Sequence, residues 1–143
     1  MKLYFFPGAC SLACHIALHE TGAKFDIEKV DTKAKKTAAG SDYLGVNAKG
    51  YVPTLELEGG EKLTEAQVIL QYIADQAPAA KLLPAAGTME RYRALEWLNF
   101  IAAEIHKGHT PLFRHADKLP DTSKQPFKDD LELRFAWLAQ HLE

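Results

Sequence analysis

The sequence is poor in cysteine, in long apolar stretches and in net charge. Two cysteines in 143 residues are too few for the disulfide framework of a small exported protein. No apolar run approaches the roughly 20 residues of a transmembrane helix, and the first residues lack the apolar segment of a secretory signal. A net charge of −2 argues against binding to nucleic acid by phosphate neutralisation. We therefore expect a cytoplasmic protein that binds neither membranes nor nucleic acid.

The two cysteines, Cys10 and Cys14, lie four positions apart and are followed by a histidine. A redox pair needs the shorter C-x-x-C spacing and covalent haem attachment needs C-x-x-C-H, so both fit less well. A structural zinc site needs about four ligands, and no second cluster of Cys and His supplies the others. We expect no metal site, and a reactive or a simply buried cysteine explains each position better.

The first part of the chain alternates strand and helix signals. Lys2–Phe6 is a short aromatic run that ends at Pro7-Gly8 and predicts a strand. Ser11–Thr21 predicts a helix that stops at Gly22. Apolar residues at 25, 27 and 30 predict a second strand, which completes a β-α-β unit with parallel strands.

The next part predicts a loop, a hairpin and a helix. Lys33–Gly40 is basic and predicts a solvated loop. Val52–Leu57 alternates in hydrophobicity and leads into Glu58–Glu61, a turn sequence that predicts a hairpin. Thr64 and Gln67 have the spacing of a capping box. We expect a helix after Thr64 that buries Val68, Ile69, Tyr72 and Ile73.

Strand signals cease after an Ala- and Pro-rich segment at 78–87, which predicts a linker. Thr88 predicts the cap of a helix that runs to about Lys107. A polar stretch, His115–Pro126, predicts a loop before a second helix from about Phe127. Strands followed by helices indicate an α/β domain at 1–77 and, beyond the linker at 78–87, an all-helical domain at 88–143.

Cys10 is the better placed of the two cysteines for chemistry. It follows a strand-ending turn and opens a predicted helix, where backbone N–H groups and the helix dipole stabilise a thiolate. Cys14 lies one turn inside the helix, where a small buried side chain is the simpler explanation. A buried structural role remains an alternative for Cys10 as well.

Glu65-Ala66 lies at a predicted helix start, where the first N–H groups can receive a carboxylate and the Glu side chain can accept from an ammonium group. Asn99, Ala103 and His106 have the spacing of one helix face, and His106 can exchange a proton near neutral pH. Taken singly, these residues and Lys35 are more typical of solvated surface positions than of a site.

Their order along the chain is more informative, because together with the neighbouring motifs it resembles the sequence pattern of a glutathione transferase. The shared motifs of the first half are Pro7-Gly8-Ala9-Cys10-Ser11-Leu12, Asp42-Tyr43, Val46-Asn47-x-Lys49-Gly50-x-Val52-Pro53-x-Leu55 and Leu63-Thr64-Glu65. Those of the second half are Glu96-Trp97-Leu98-Asn99-Phe100-Ile101 and Glu104-Ile105-His106-Lys107-Gly108. The resemblance extends from Met1 to about Arg114 and, with cysteine at position 10, is greatest to the bacterial beta class.

The resemblance implies a thioredoxin-like N-terminal domain with a cis peptide bond before Pro53, followed by an all-helical domain. It implies glutathione as the co-substrate, small hydrophobic electrophiles as partners and a homodimer as the assembly. Carried over by position, Cys10 and His106 would be catalytic. The residues around glutathione would be Cys10, Lys35, Val52, Glu65, Ala66, Asn99, Ala103, Glu104, Ile105 and His106.

Within that site each part of glutathione has an expected neighbour. Cys10 would face the sulfur, the Val52 backbone would pair with the cysteinyl unit, and Glu65-Ala66 would hold the γ-glutamyl end. Lys35 would meet the glycyl carboxylate. We expect Glu65→Ala to weaken binding more than Lys35→Ala, on the assumption that Glu65 is partly buried and Lys35 exposed.

Two features depart from the family pattern. Phe5 stands where members of the class often carry tyrosine, so no hydroxyl at that position can activate glutathione. Members also continue through several more helices, whereas this sequence stops at Glu143, so we expect the helical domain to be incomplete. A stripe of Phe135, Leu138 and Leu142 would then be exposed and would favour association.

Three functions follow from these observations. The first is conjugation of the glutathione thiol to hydrophobic electrophiles, by orienting and ionising that thiol. The second is thiol transfer through a mixed disulfide between Cys10 and glutathione. The alternative is a glutathione transferase-like module that binds or regulates without turnover. The combination of Cys10, Glu65 and His106 favours an enzyme.

Overall fold

The computed structural model describes residues 1–114 and 117–142. A five-stranded sheet forms the centre of the first part of the chain. In the order β3-β2-β1-β4-β5, its strands are β1 (Lys2–Phe5), β2 (Asp26–Asp31), β3 (Lys36–Thr37), β4 (Thr54–Glu56) and β5 (Lys62–Thr64). β1 and β2 are parallel, and the other neighbouring strands are antiparallel. The predicted β-α-β unit and hairpin are confirmed.

Two helices, α1 (Ser11–Glu20) and α2 (Ala66–Gln76), pack against each other and cover one face of the sheet. Leu3 points toward them, whereas its neighbour Tyr4 points to the opposite face and packs with Val30 and Tyr43, as the two-residue period of a strand requires. Each fully buried large apolar side chain contributes about 1.5–3 kcal/mol to folding. The main core is formed by Leu3, Cys14, Ala17, Leu18, Leu55, Ile69 and Ile73.

Three local predictions in this region are wrong. The solvated loop at 33–40 contains strand β3, whose Thr37 is buried. The capping box does not form, because Thr64 ends β5 and Glu65 takes the N-cap position without a side-chain cap. Val68, predicted to be buried, is 42% exposed, and the buried positions of α2 are Ile69, Ile73 and Ala74.

Arg91 is the last residue of the first compact unit, Met1–Arg91, and the second unit begins at Tyr92. Its side chain is buried, and it donates to both carboxylate oxygens of Asp75 at 2.9 and 3.0 Å and to the Pro84 carbonyl at 3.2 Å. Thr88 caps the next helix, as predicted, because its Oγ1 accepts from the Arg91 N–H at 3.2 Å. The 78–87 linker stays a prediction, and the segment begins with a 3₁₀ turn, Pro78–Ala80.

The second unit is helical. Helix α3 (Met89–Phe100) crosses the boundary and continues as a π-helical segment, Ile101–His106, before α4 (Thr110–Arg114) and α5 (Asp121–Gln140). The prediction that a loop persists to Pro126 is wrong, although its positions 115 and 116 lie outside the described residues. Pro126 lies in the second turn of α5, where the carbonyl that its missing N–H would pair with is that of Thr122, an exposed residue.

The second unit buries little apolar surface. Leu131 is the only apolar residue of its described part that is fully buried. Of the predicted stripe, Phe135 and Leu142 are 44% and 78% exposed, as expected, whereas Leu138 is half-buried. Tyr92 of α3 and Ile101 of the π-helical segment are 57% and 47% exposed. None of the described helices is both long and apolar enough to span a bilayer.

Candidate functional site

The turn after β1 places Cys10 at the N-cap of α1. Gly8 adopts a φ of +75° in this turn, and the Ser11 hydroxyl closes it by accepting from the Phe6 N–H and donating to the Phe6 carbonyl, both at 3.2 Å. Cys10 is half-buried, and its Sγ lies 3.6 Å from the Val52 carbonyl oxygen. Only the protonated thiol can donate to that oxygen, so ionisation of Cys10 would end this contact.

Cys14 lies in the main core and has no access to solvent. Its Sγ donates to the Ala66 carbonyl at 3.7 Å, and burial raises the pKa of its thiol to about 12. The prediction that Cys14 is a buried structural residue is confirmed.

A buried polar network fixes the segment that precedes β4. The Tyr43 hydroxyl donates to the Tyr51 carbonyl at 2.7 Å and shares a hydrogen bond of 2.8 Å with Thr54 Oγ1. The Asn47 side chain donates to the same two oxygens at 2.9 and 3.1 Å. The Val52–Pro53 peptide bond is cis, as predicted. The network therefore holds the backbone that presents the Val52 carbonyl to Cys10.

Lys35 packs against the same segment. Its ammonium group donates to the Gly50 carbonyl at 2.9 Å and lies 5.8 Å from the centre of the Tyr51 ring. Gly50 has a φ of +64°, and a Cβ there would lie 3.1 Å from the Lys35 side chain. The assumption that Lys35 is a freely exposed lysine is wrong, because the side chain is half-buried against Gly50.

Glu65 occupies an unusual backbone conformation at the start of α2, with φ of +70° and ψ of +119°. Its side chain is 53% exposed and pairs with the Lys49 ammonium group at 2.7 Å, which also donates to Thr64 Oγ1 at 3.0 Å. The assumption that Glu65 is the more buried of the two charged site residues is therefore wrong. Lys49 was not among the predicted site residues, although it lies in the Asn47-x-Lys49-Gly50 motif.

Ala66 begins α2, so its N–H is among the first-turn donors that have no acceptor within the helix. The Glu65 carbonyl accepts from the N–H groups of Val68 and Ile69, which closes the turn behind it. The Ala66 carbonyl accepts from Cys14, one turn after Cys10. Contacts thus link the starts of α1 and α2 to each other and to the Val52 segment.

The first unit therefore brings together a thiol, two ammonium groups, a carboxylate and open backbone donors. Cys10 contacts Val52, Lys35 contacts Gly50 two residues earlier, and Lys49 joins that segment to Glu65. A ligand with a sulfur atom, two carboxylates and one ammonium group finds a complementary partner for each.

The candidates of the second unit lie on α3 and the π-helical segment. Asn99, Ala103 and His106 are exposed. The prediction that these three residues share one helix face assumes α-helical spacing. This assumption is wrong, because Ile101–His106 is π-helical and its hydrogen bonds join residue i to residue i+5. Glu104 is half-buried and pairs with Arg134 Nε at 2.7 Å, and the Ile105 carbonyl interacts with His109 Nδ1 at 2.7 Å. Their roles in the site stay predictions.

Comparison with known proteins gives consistent matches along the chain. Residues 1–75 match the family model of the glutathione S-transferase N-terminal domain. Over 143 residues the chain is 45% identical to glutathione S-transferase GstA of Escherichia coli O157:H7, covering 100% of this chain and 70% of that protein. The beta class glutathione S-transferase of Sphingomonas chungbukensis superposes with a TM-score of 0.93 at 48% identity, covering 99% of this chain and 70% of that one. A sphingomonad glutathione S-transferase complexed with glutathione gives a TM-score of 0.94 at 50% identity with the same coverage.

Proposed function

This chain belongs to the glutathione S-transferase family, and from that membership we propose how its site works. The predicted fold class, a thioredoxin-like α/β domain followed by helices, is confirmed, and the solved relatives include the bacterial beta class. The chain is a glutathione transferase, as predicted, and the relatives give no support to the alternative of a non-catalytic module. We further propose that its electrophiles are small and hydrophobic, that it acts in the cytoplasm and that it assembles as a homodimer.

Glutathione lies along three segments of the first unit that contact one another: the start of α1, the segment around Val52 and the start of α2. The N–H of Ala66 receives the γ-glutamyl carboxylate, and the Glu65 carboxylate accepts from the γ-glutamyl ammonium group, with Lys49 beside it. The backbone of Val52 pairs with the cysteinyl unit, and Lys35 meets the glycyl carboxylate. The bound glutathione in the sphingomonad relative supports this choice of ligand.

Cys10 faces the glutathione sulfur. In conjugation the attacking atom is the glutathione thiolate, which forms a bond to the electrophile as the leaving group departs. Cys10 orients that sulfur, and His106 with Asn99, Ala103, Glu104 and Ile105 completes the site from a helical unit, partly that of the second subunit. Phe5 offers no hydroxyl, so activation of the thiol rests on these other groups.

Cys10 also supports thiol transfer. Its thiolate attacks one sulfur of oxidised glutathione, a Cys10–glutathione disulfide forms, and the other half leaves as a glutathione thiolate. A second thiol then attacks the mixed disulfide and restores Cys10. The observation that carries the proposal is the half-buried position of Cys10 at the start of α1, where first-turn N–H groups stabilise its thiolate once the contact of the thiol with the Val52 carbonyl is broken.

A comparison of cysteine variants tests the proposal. Cys10→Ser should abolish the mixed disulfide with oxidised glutathione, measured by intact mass, yet leave much of the conjugation of an aryl halide. His106→Ala should lower conjugation more. Limited alkylation at pH 7 with peptide mapping should label Cys10 far faster than Cys14, because a thiol with a pKa of about 12 is ionised in about one molecule in 100,000 at that pH.

Cys14→Ala is the matched control and should leave both reactions in place. Equal labelling of the two cysteines would contradict the assignment of Cys10. Failure of the wild-type chain to bind a glutathione column, together with no conjugation of the aryl halide, would favour the non-catalytic module instead.

A further inference from the structure

Helix α1 carries two histidines one turn apart, His15 and His19, outside the proposed glutathione site. Their Nε2 atoms lie 3.2 Å from each other. His19 is exposed and His15 half-buried, and the buried residues of α1 are Ser11, Cys14, Ala17 and Leu18. The pair therefore brings two ring nitrogens to within 3.2 Å of each other, next to solvent.

Aromatic contacts hold both rings in this arrangement. The Phe25 ring meets His15 and His19 edge-on, with centroid distances of 5.6 and 5.0 Å. The centre of the Phe5 ring lies 6.1 Å from that of the His15 ring. Such contacts restrict rotation of the rings, so a ligand that needs both nitrogens finds them already positioned.

The spacing of the two nitrogens fits a shared metal ion. Metal–nitrogen bonds of 2.0–2.1 Å to imidazole and the 3.2 Å separation give an N–metal–N angle of roughly 100–106°. This value lies between the 90° of octahedral or square-planar sites and the roughly 109° of tetrahedral ones. Histidines at i and i+4 on a helix are a known metal-binding spacing.

We propose that His15 and His19 chelate a late first-row divalent cation, of the Cu²⁺, Ni²⁺ or Zn²⁺ class, through their Nε2 atoms. Imidazole nitrogen suits these ions, and Cu²⁺ binds most tightly. No group of three or more His, Cys, Asp or Glu ligands occurs among residues 1–114 and 117–142, so water completes the coordination. The expectation of no metal site was drawn for a structural zinc site of about four ligands, because no second cluster of Cys and His accompanies the cysteines, whereas this chelate uses two histidines of one helix.

Binding of the cation changes the hydrogen positions on the two rings. In the empty pair one Nε2 carries a hydrogen and donates it to the other. In the chelate both Nε2 lone pairs go to the cation, and that hydrogen moves to Nδ1 of its own ring. A neutral pair therefore releases no proton, whereas a pair with one protonated ring releases one.

Calorimetric titration with Ni²⁺ tests the proposal. The chain is first treated with iodoacetamide, and glutathione is left out, so that neither protein thiols nor the tripeptide bind the ion. The wild-type chain should bind one Ni²⁺ at this site about tenfold or more tightly than His19→Asn, because the second nitrogen binds at a high effective concentration. His141→Asn is the matched control, since the His141 ring interacts with the Trp137 carbonyl, and it should bind like the wild type.

A second variant keeps the number of histidines and removes any ligand at i+4. His19→Asn combined with Glu20→His moves one histidine by one position, to i+5, and should lose Ni²⁺ affinity as His19→Asn does. In the wild-type chain, paramagnetic Ni²⁺ should broaden the ring proton NMR signals of His15 and His19 before those of His106, His109 and His141. Wild-type affinity in the double variant, or simultaneous broadening of all histidines, would overturn the proposal. These readouts do not depend on transferase activity, so they stand apart from the proposed function.

Discussion

Glu65 combines a strained backbone with an exposed side chain. A non-glycine residue in such a sparsely populated conformation costs about 1–3 kcal/mol, and its φ is +70°. The pair with Lys49 offsets little of that cost, because both side chains are about half exposed and such pairs contribute about 0–1 kcal/mol. Position 65 thus weakens the fold, as is expected if its side chain has the role in glutathione binding that we propose.

Comparison of glycine and alanine at position 65 isolates this strain. Glu65→Gly should be more stable than Glu65→Ala by about 1 kcal/mol, because only glycine tolerates a positive φ at little cost. Both variants should lose affinity for glutathione. Gln67, inside α2, is the control, because there glycine should be less stable than alanine by about 1 kcal/mol. Urea denaturation and calorimetric titration measure the two effects, and the same order at both positions would contradict the strain.

At the scale of elements, the ion pair between Asp75 and Arg91 joins the end of α2 to the first turn of α3. The Arg91 side chain is 6% exposed and that of Asp75 is 50% exposed. An amide at position 75 would keep one acceptor for Arg91 but would turn an NH2 group toward the buried guanidinium and remove the charge that balances it. This differs from the pair between Arg93 and Glu96 on the same helix, whose side chains are both exposed.

Asp75→Asn should therefore lower the free energy of unfolding by about 2–3 kcal/mol, somewhat less than for a fully buried pair. Glu96→Gln, the matched control, should lower it by no more than about 0.5 kcal/mol. Urea denaturation followed by circular dichroism measures both values. If the two variants were equally stable, the Asp75–Arg91 pair would have no special role.

The sequence predicted those elements whose signals are local. The turns after Phe5 and Leu57 and the cap at Thr88 are determined by nearby residues, and each lies within a residue or two of its expected place. β3 was missed, because Lys36–Thr37 is a strand only through its pairing with β2. The start of α5 was missed because Pro126 is a breaker by type, yet its position near an exposed helix start makes it tolerable.

The predictions for the site also divide into those that were correct and those that failed because they depend on contacts distant in the sequence. The cis bond before Pro53 follows from the family resemblance, and the burial of Cys14 follows from its position inside a helix. The prediction for the relative burial of Lys35 and Glu65 was wrong, because the burial of each side chain depends on a partner that is distant in the sequence. Gly50 lies 15 positions after Lys35, and Lys49 lies 16 positions before Glu65. No local pattern carries that information.

At the scale of the whole molecule, buried apolar residues are distributed unevenly. The first unit has two clusters of buried residues, whereas Leu131 is the only fully buried apolar residue in the described part of the second. Because local stability follows buried apolar contacts, the second unit should open more readily than the first.

Native-state hydrogen exchange measures this difference. Amide protons of β1 and α1 should exchange only through global unfolding, and those of the second half of α5 should exchange at least about tenfold faster, through local opening. Leu131→Ala should speed exchange in α5 and leave β1 unchanged. Equal protection of α5 and β1 would show that the second unit is held by interactions other than burial of its own apolar side chains.

The π-helical segment at Ile101–His106 acts as a phase shift in an otherwise continuous helix. One extra residue per wide turn displaces every later side chain by about 100° around the axis, the angle between neighbours in an α-helix. A relative that lacks one residue between 101 and 106 could keep both flanking helices and close the gap as ordinary α-helix. Its residues after position 106 would then continue the α-helical spacing of those before position 101. A one-residue alignment gap at this point would therefore indicate that different side chains lie on a given face of the helix.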